Sequence, residues 1–332
     1  MSNTLYIVTG CDGFVGSTIV RRLLAQGLRV RGVNRTGPAG HPHEVRVADV
    51  THPDQVVAAF EGEDDRVVIH TAGKISIATH LDPELWRTNV EGTANVIAAA
   101  RTTGVRRLVY TSSVHALPVH PGETMTETDE FGEVVGAYAT TKAEATRRVL
   151  AASDLSPVVV YPSGILGPHD PGQGHLTQLV RDLIDGQMPI IVPGGHDLVD
   201  VRDVAAGTIA AAHRGESGAG YLLTGHLVSI KHLAHEVAKI TGRREPWVMP
   251  MWLARATARM AETWYRLRRV PPLYTRYSLF TVAAGVRYSH AKATRELDYR
   301  PRRFTDTITD TVAWIRHDKE HTDGPADPAR RA

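Results

Sequence analysis

Cysteine is nearly absent: the 332 residues hold one, Cys11. A lone thiol excludes an internal disulfide and any zinc site built on cysteines, and no metal centre is expected. Aromatic residues are scarce at 6%, and no run of 18 or more apolar residues occurs, so a membrane-spanning helix is not indicated. An excess of one charge is lacking as well. With 38 Lys and Arg against 36 Asp and Glu, the formal net charge is +2, which makes no case for nucleic-acid binding. The start, MSNTLYIVTG, shows no basic stretch followed by an apolar one, so a cytoplasmic location without stable membrane insertion is expected.

Hydrophobic content, by contrast, is 42%, enough for one large core with a smaller one beside it. The runs TLYIVTG, LRVRGVN, VRVADV, RVVIHTAG, RRLVYTSS and SPVVVYPSG are rich in Val, Ile and Leu and end in small or polar residues, as buried strands do. Between them lie helical patterns. FVGSTIVRRLLAQG closes on Gly27, and DPELWRTNVEGTANVIAAARTTG opens with Asp82 as N-cap and Pro83 at the first helical position. This alternation predicts an α/β fold, a doubly wound parallel sheet with a smaller C-terminal substrate-binding domain. The expected division is a dinucleotide-binding region over 1–165, with 200–230 returning to it, and a substrate-binding region over 166–199 and 231–316. A disordered tail is expected over 317–332.

The stretch IVTGCDGFVG, Ile7 to Gly16, removes side chains at regular intervals, with Gly10, Gly13 and Gly16 three apart between a strand and a helix. In that setting Gly10 permits the tight turn, Gly13 lets the backbone approach a pyrophosphate, and Gly16 lets the helix pack on the strand. Unpaired N–H groups and the helix dipole make the helix N-terminus a phosphate site. Cys11 reads as a small filler in the turn. The next strand ends RGVNRTG, at the place where an acidic residue would take the ribose hydroxyls of NAD. Asn34 stands there instead and Arg35 follows. A guanidinium is thus available for a 2′-phosphate, and the reading is NADP(H), with NAD as the alternative. Asp49, closing VRVADV, is placed to reach the adenine amino group.

In AYATTKAEA, Tyr138 and Lys142 lie four apart in a helical segment and face the same way. A phenol has a pKa of about 10, and a neighbouring ammonium stabilises its phenolate, which suits Tyr138 to general acid and base work. YTSSVHAL ends the fifth strand with hydroxyls at Ser112 and Ser113, on the carboxyl edge of the sheet where ligands bind.

Together TGCDGFVG, HTAG, NVEGT, TSS, YATTK, YPSGILGP, DVRDVA and SHAKATRELDYRP resemble the extended short-chain dehydrogenase/reductase family over nearly the whole chain. The resemblance implies that Ser113 holds the substrate oxygen and that Tyr138 gives or takes the proton. Lys142 then lowers the tyrosine pKa and binds the nicotinamide ribose, while Asn89 keeps the active-site helix and its water ordered. The cofactor is implied to lie against Gly10, Asp12, Gly13, Phe14, Val15, Gly16, Asn34, Arg35, Asp49, Val50, Thr71, Ala72, Gly73, Lys74, Asn89, Thr111, Tyr138, Lys142, Tyr161, Pro162, Ser163 and Gly164. The substrate pocket is implied at Lys74, Ser113, Val114, His115 and Ser163. The segment Tyr161-Pro162-Ser163-Gly164-Ile165 is closer to the turn of dihydroflavonol-reductase-like and hydroxysteroid-dehydrogenase-like members than to that of sugar-nucleotide enzymes, with Tyr161 in place of their arginine. Family members commonly form homodimers through the helices carrying Asn89 and Tyr138, and the faces ANVIAAA and AEATRRVLAA permit close packing.

The expected activity is NADP(H)-dependent interconversion of a ketone or aldehyde and an alcohol on a bulky, apolar small molecule. The stretch from Pro250 to Phe280, with Trp252, Met260, Trp264 and Leu267 among arginines, reads as a lid that also joins the second core, with contact to a membrane surface as the alternative. A sugar-nucleotide epimerase or dehydratase with tightly held NAD is the alternative function. A nucleotide-sensing protein without turnover is a second, though a sensor has no use for an acid–base pair.

Overall fold

The computed structural model describes residues 4–37, 42–62, 65–76, 82–119, 123–127, 132, 134–172, 174–250, 252–253 and 286–322. β1 (Leu5–Thr9) leads through the glycine turn into α1 (Phe14–Ala25), then β2 (Arg29–Asn34), β3 (Glu44–Val47), α2 (Pro53–Phe60) and β4 (Arg66–His70). The single turn α3 (Pro83–Trp86) runs through a π turn, Arg87–Glu91, into α4 (Gly92–Thr103), followed by β5 (Arg107–Thr111), β6 (Thr124–Met125), α5 (Ala137–Leu150) and β7 (Val158–Pro162). Asp82 caps α3 by accepting the Glu84 N–H at 3.0 Å, and Gly104 ends α4 in the left-handed region at φ 73°.

These strands form one parallel sheet in the order β11-β7-β5-β4-β1-β2-β3, in which β11 is Gly220–Leu223. The six runs read as strands in the sequence are its first six members, and β1 and β4 are buried along their whole length. Helices on both faces explain why they read as continuous apolar runs rather than alternating ones. Leu5 and Ile7 enter one core with α2, α4 and α5, whereas Tyr6 and Val8 enter the other with α1. The strand order reverses between β1 and β4, so the crevice at their carboxyl ends is the ligand position of this architecture.

The remaining chain runs β8 (Gly164–Leu166), α6 (His175–Asp185), β9 (Ile190–Ile191), β10 (Gly195–Asp200), α7 (Val201–Arg214), β11, β12 (His226–Ser229), α8 (Ile230–Thr241), β13 (Trp247–Val248), β14 (Arg287–Tyr288), α9 (Ala291–Leu297) and α10 (Phe304–Thr322). The sheet β12-β10-β8 and helices α6, α8 and α10 share a third core. Two boundaries differ from the sequence division. Ala293, Leu297 and Tyr299 pack with α7 and β11 in the dinucleotide lobe, not with the second lobe, and α10 continues through residue 322 instead of giving way to a tail at 317. Ion pairs join the lobes. Asp200, its side chain wholly buried, caps α7 and binds Arg202, which also reaches Asp310 at 2.7 Å; Arg302 donates to both carboxylate oxygens of Asp203.

Candidate active site

Gly10 has φ +69°, and a Cβ there would lie 2.9 Å from backbone atoms of Ala72, so only glycine fits the turn. At Gly16 a Cβ would stand 2.1 Å from the Gly10 carbonyl oxygen, which measures how closely α1 packs on the turn. Gly13 differs. A Cβ on it would meet only the Gly10 oxygen, at 3.2 Å, and Gly13 is the N-cap of a helix with no side-chain cap and no acidic residue in its first turn. Among the described residues no side chain caps the first N–H groups of α1, at Phe14 and Val15, which leaves them suited to an anion. Cys11 fills the turn from below; burial and the Asp12 carboxylate push its thiol up to about 12, so it is inert.

At the end of β2, Asn34 donates through Nδ2 to Asp12 Oδ2 and, at 3.1 Å, to Thr36 Oγ1. Arg35 is exposed beside it. Asp49 Oδ1 accepts from both the N–H and the hydroxyl of Thr51 at 2.8 Å. Burial pulls that carboxyl's pKa up, but the Thr51 bonds and the Arg35 charge outweigh it and hold it below the ordinary value. Val50 is buried against Gly92.

Past β4, Thr71 Oγ1 donates to the Thr9 carbonyl at 2.7 Å and the Ala72 N–H reaches Thr9 Oγ1 at 3.3 Å. Gly73 faces the site's centre: a Cβ there would stand 3.3 Å from Asn89 Oδ1 and 3.6 Å from Lys142 Nζ. Asn89, on the π turn, clamps the Lys74 backbone in both directions, accepting its N–H at 2.8 Å and donating to its carbonyl at 2.9 Å, and it also reaches Thr141 Oγ1 at 3.1 Å. Isolated π turns recur at functional sites. The Lys74 ammonium is paired with Asp82 at 2.9 Å and with Glu84.

Just past β5 the two serines divide their work. Ser112 Oγ pairs with Thr146 Oγ1 at 2.7 Å in the contact with α5, whereas Ser113 Oγ accepts the His115 N–H at 3.2 Å and caps the turn Val114–Ala116. Among the described residues that bond leaves its own proton uncommitted. The His115 ring meets that of Tyr138 edge to face at 6.2 Å. His115 is an exposed residue, and desolvation with neighbouring His196 pushes its pKa down to about 4. One turn along α5, Lys142 is buried, with Nζ 2.8 Å from the Thr111 carbonyl, 3.2 Å from Tyr110 Oη and 4.8 Å from the Tyr110 ring centre. Burial pushes its ammonium down to about 7.

A buried polar chain behind these groups carries residues that sequence analysis does not single out. His70 Nδ1 lies 2.7 Å from Thr9 Oγ1 and Nε2 lies 3.1 Å from Thr93 Oγ1, which donates to the Asn89 carbonyl at 2.6 Å. Because the Thr93 proton goes to that carbonyl, the hydrogen-bond pattern assigns the ring proton to Nε2. Burial, with the Lys142 charge, pushes His70 down to about 3, so it links β1, β4 and the π turn as a neutral group. A histidine closing the apolar run VVIH was the available signal. Thr111 Oγ1 and Ser163 Oγ, both more than nine-tenths buried at the carboxyl edge, have no hydrogen-bond partner among the described residues; Ser163 stands close to Asp197 but outside bonding geometry. Orphaned hydroxyls, an open cradle at Gly13 and a buried ammonium together fit a dinucleotide and its substrate. The Tyr161 ring is buried over Gly220, and Pro162 and Gly164 stand at the end of β7 and the start of β8.

Over residues 6–223 the sequence matches the NAD dependent epimerase/dehydratase family. The chain belongs to that family. Among relatives it is 31% identical over 322 residues to sterol demethylase protein B of Methylococcus capsulatus, covering 93% of this chain and 98% of that one. It is 29% identical over 331 residues to 3 beta-hydroxysteroid dehydrogenase/Delta 5-->4-isomerase of Mycobacterium tuberculosis, covering 89% and 85%. Of solved structures, gox2253 superposes with a TM-score of 0.82 at 33% identity, covering 95% of this chain and 98% of that chain. The protein is an NAD(P)-dependent oxidoreductase of the extended short-chain dehydrogenase/reductase type.

In this family member Trp252 is 71% exposed, while the rest of the lid expected between Pro250 and Phe280 lies almost wholly outside the described residues. No helix among the described residues is long and apolar enough to cross a membrane. The alanines read as a dimer face are partly consumed within the chain: Ala99, Ala100, Ala143 and Ala145 are buried in the core that α4 and α5 share.

Proposed function

We propose that this enzyme interconverts a ketone or aldehyde and an alcohol on a bulky, apolar small molecule, with Ser113, Tyr138 and Lys142 as the working groups. The observation that carries the reading is the buried Lys142 ammonium one helical turn from Tyr138, bonded to the Thr111 carbonyl two residues before Ser113. The nicotinamide, when bound, supplies or takes the hydride. In the reductive direction Ser113 donates its hydroxyl to the substrate oxygen, its lone pair being engaged by the His115 N–H. Tyr138 passes its proton to that oxygen as negative charge grows there, and the positive charge of Lys142 favours the phenolate left behind. Asn89 holds the Lys74 backbone and α5 in register through its three bonds.

Relatives named for sterol and hydroxysteroid chemistry support a bulky apolar substrate. So do Ile75 and Val135, 70% and 61% exposed on the loops that flank Lys74 and Tyr138. Arg35, exposed beside the end of β2, supports NADP(H), with NAD(H) as the alternative. The homodimer and the cytoplasmic location rest on the resemblance and on composition; a monomeric mass by light scattering would remove the dimer. For the chemistry, Tyr138→Phe keeps the ring and deletes the proton, so turnover of an active carbonyl substrate should fall by about 10²-fold or more. Dinucleotide affinity should be unchanged. Turnover at the wild-type rate would refute the role of Tyr138.

A further inference from the structure

We infer that Tyr110 is a positioning residue for Lys142: its phenolic oxygen and the Thr111 carbonyl hold two of the three ammonium donors against β5, which turns the third over Gly73 into the crevice. This role rests on the proposed Ser-Tyr-Lys site, in which the family resemblance gives Lys142 the nicotinamide ribose. Tyr110 is 1% exposed, and its ring lies in the core that α4 and α5 share. A tyrosine buried there needs a partner for its hydroxyl, where a phenylalanine would need none. That partner is Lys142, whose Nζ donates to Tyr110 Oη at 3.2 Å and to the Thr111 carbonyl at 2.8 Å. The hydroxyl holds the ammonium more than the ring face does, since the ring centre is 4.8 Å away. His70, the register neighbour of Tyr110 on β4, lies against the ring with centroids 5.4 Å apart, and Thr93 stands close to the hydroxyl, so the phenol has little room to turn. An ammonium carries three donors. With two spent on consecutive residues of one strand, the direction of the third is fixed. A Cβ on Gly73 would stand 3.6 Å from Nζ, so the missing side chain leaves that direction open at the carboxyl edge of the sheet.

The same oxygen bears on whether Lys142 stays charged. The titratable groups around the Tyr110–Lys142 pair are His70 on β4, Tyr161 on β7 and Tyr138 on α5 itself. None of these is a carboxylate, and burial keeps His70 neutral. The ammonium is therefore held by neutral acceptors, and the loss of one of two weighs heavily in a site that water does not reach. Burial also pushes the Tyr110 hydroxyl well above its ordinary value, so it remains an un-ionised acceptor throughout the working range. Deleting that oxygen disfavours the charged amine, and Lys142 then gives up its proton at a lower pH. The two residues are 32 positions apart in the sequence and meet only because α5 packs on the face of β5 from which Tyr110 projects.

The test is titration of the purified full chain with NADH and with NADPH, read by nucleotide fluorescence without any substrate from about pH 5.5 to about pH 9. Wild type, Tyr110→Phe and Lys142→Met are compared with the tighter-binding nucleotide, whose own ionisations all three share. Wild-type affinity should fall as pH rises through about 7, where Lys142 loses its charge. In Tyr110→Phe, which keeps the ring and deletes the acceptor, the fall should come about one pH unit lower, leaving binding at neutral pH weaker by about fivefold. Lys142→Met should bind weakly and lack the fall. A packing defect alone would lower the melting temperature and leave the pH of the fall where it is. If Tyr110→Phe fails to fold, Tyr110→Met carries the same expectation. An unmoved fall in the folded variant, with the dependence lost in Lys142→Met, would overturn the role of Tyr110 alone. Wild type without the fall, or Lys142→Met retaining it, would overturn the placing of the ammonium against the nucleotide and the role of Tyr110 with it. Binding of neither nucleotide would overturn both together with the dinucleotide site.

Discussion

Replacing Gly13 and Gly16 by alanine, one at a time, separates the ligand side of the turn from its packed side. At position 16 the new methyl would lie 2.1 Å from the Gly10 oxygen, 2.8 Å from its carbonyl carbon and 2.9 Å from Thr71 Oγ1. Two of these neighbours are backbone, so α1 must lift from β1 by more than an ordinary side-chain adjustment. Overpacking costs about 1–3 kcal/mol, and backbone neighbours place this site near the upper figure. A gain of about 0.4–1 kcal/mol from the stiffer unfolded chain offsets part of it. The net loss of about 2 kcal/mol should lower Tm by roughly 4–8 °C. At position 13 the backbone, φ −74°, is one alanine adopts, and the single contact at 3.2 Å yields by a few tenths of an ångström. There the small penalty of alanine at an N-cap and the unfolded-state gain nearly cancel. Gly13→Ala should therefore melt with wild type, yet bind NADH at least about tenfold more weakly, because the methyl occupies the side where the pyrophosphate approaches. Calorimetric melting and nucleotide titration on the same samples decide it. A Gly13→Ala protein that binds normally, or that melts as early as Gly16→Ala, would refute the assignment of the open side to the ligand.

Two further predictions concern buried bases. The native state keeps His70 neutral down to about pH 3 while the unfolded chain protonates it near 6.5. Between those values the unfolded state binds more protons and stability falls as pH is lowered, by at most about 1.4 kcal/mol per pH unit for this group. His70→Gln should flatten that dependence in urea midpoints taken from pH 4 to 7; equal slopes would contradict the buried neutral imidazole. Lys142, at about 7 against 10.5 unfolded, gives stability that rises with pH between those values. Lys142→Met should abolish turnover while raising the unfolding free energy at pH 7 by about 1 kcal/mol or more. A comparable loss of stability would show that the ammonium is structural.

Much of the dinucleotide lobe is legible because its signals are local. Each strand of the large sheet is a short apolar run, the glycines sit three apart, and Tyr138 and Lys142 are spaced by one helical turn. The second lobe is not, since β8, β9, β12 and β13 are two to four residues long and too short to show a period. In the site, the pairing of Asp12 with Asn34 and the line from Thr9 through His70 to Thr93 are tertiary, joining residues 22 to 61 positions apart. The π turn that aims Asn89 has no sequence mark, because one extra residue in a helical turn leaves the apolar pattern on either side intact. Lys74 shows the reverse: its position in the chain points to the pocket, but Asp82 and Glu84, eight and ten residues on, claim its charge.

The ion pairs between the lobes bear on how the chain is made. Asp203 starts α7 in the dinucleotide lobe, but its guanidinium partner, Arg302, is 99 residues further on, and Asp310, which completes the Arg202 pair beside buried Asp200, comes later still. At a synthesis rate of roughly 5–20 residues per second, the carboxylate at that helix start waits about 5–20 s for its counter-charge. For most of that interval, once β11 has been made, the large sheet has all of its strands while Asp203 still lacks its counter-charge, so the packing of the nucleotide-binding half is completed only once Arg302 and α10 have been made.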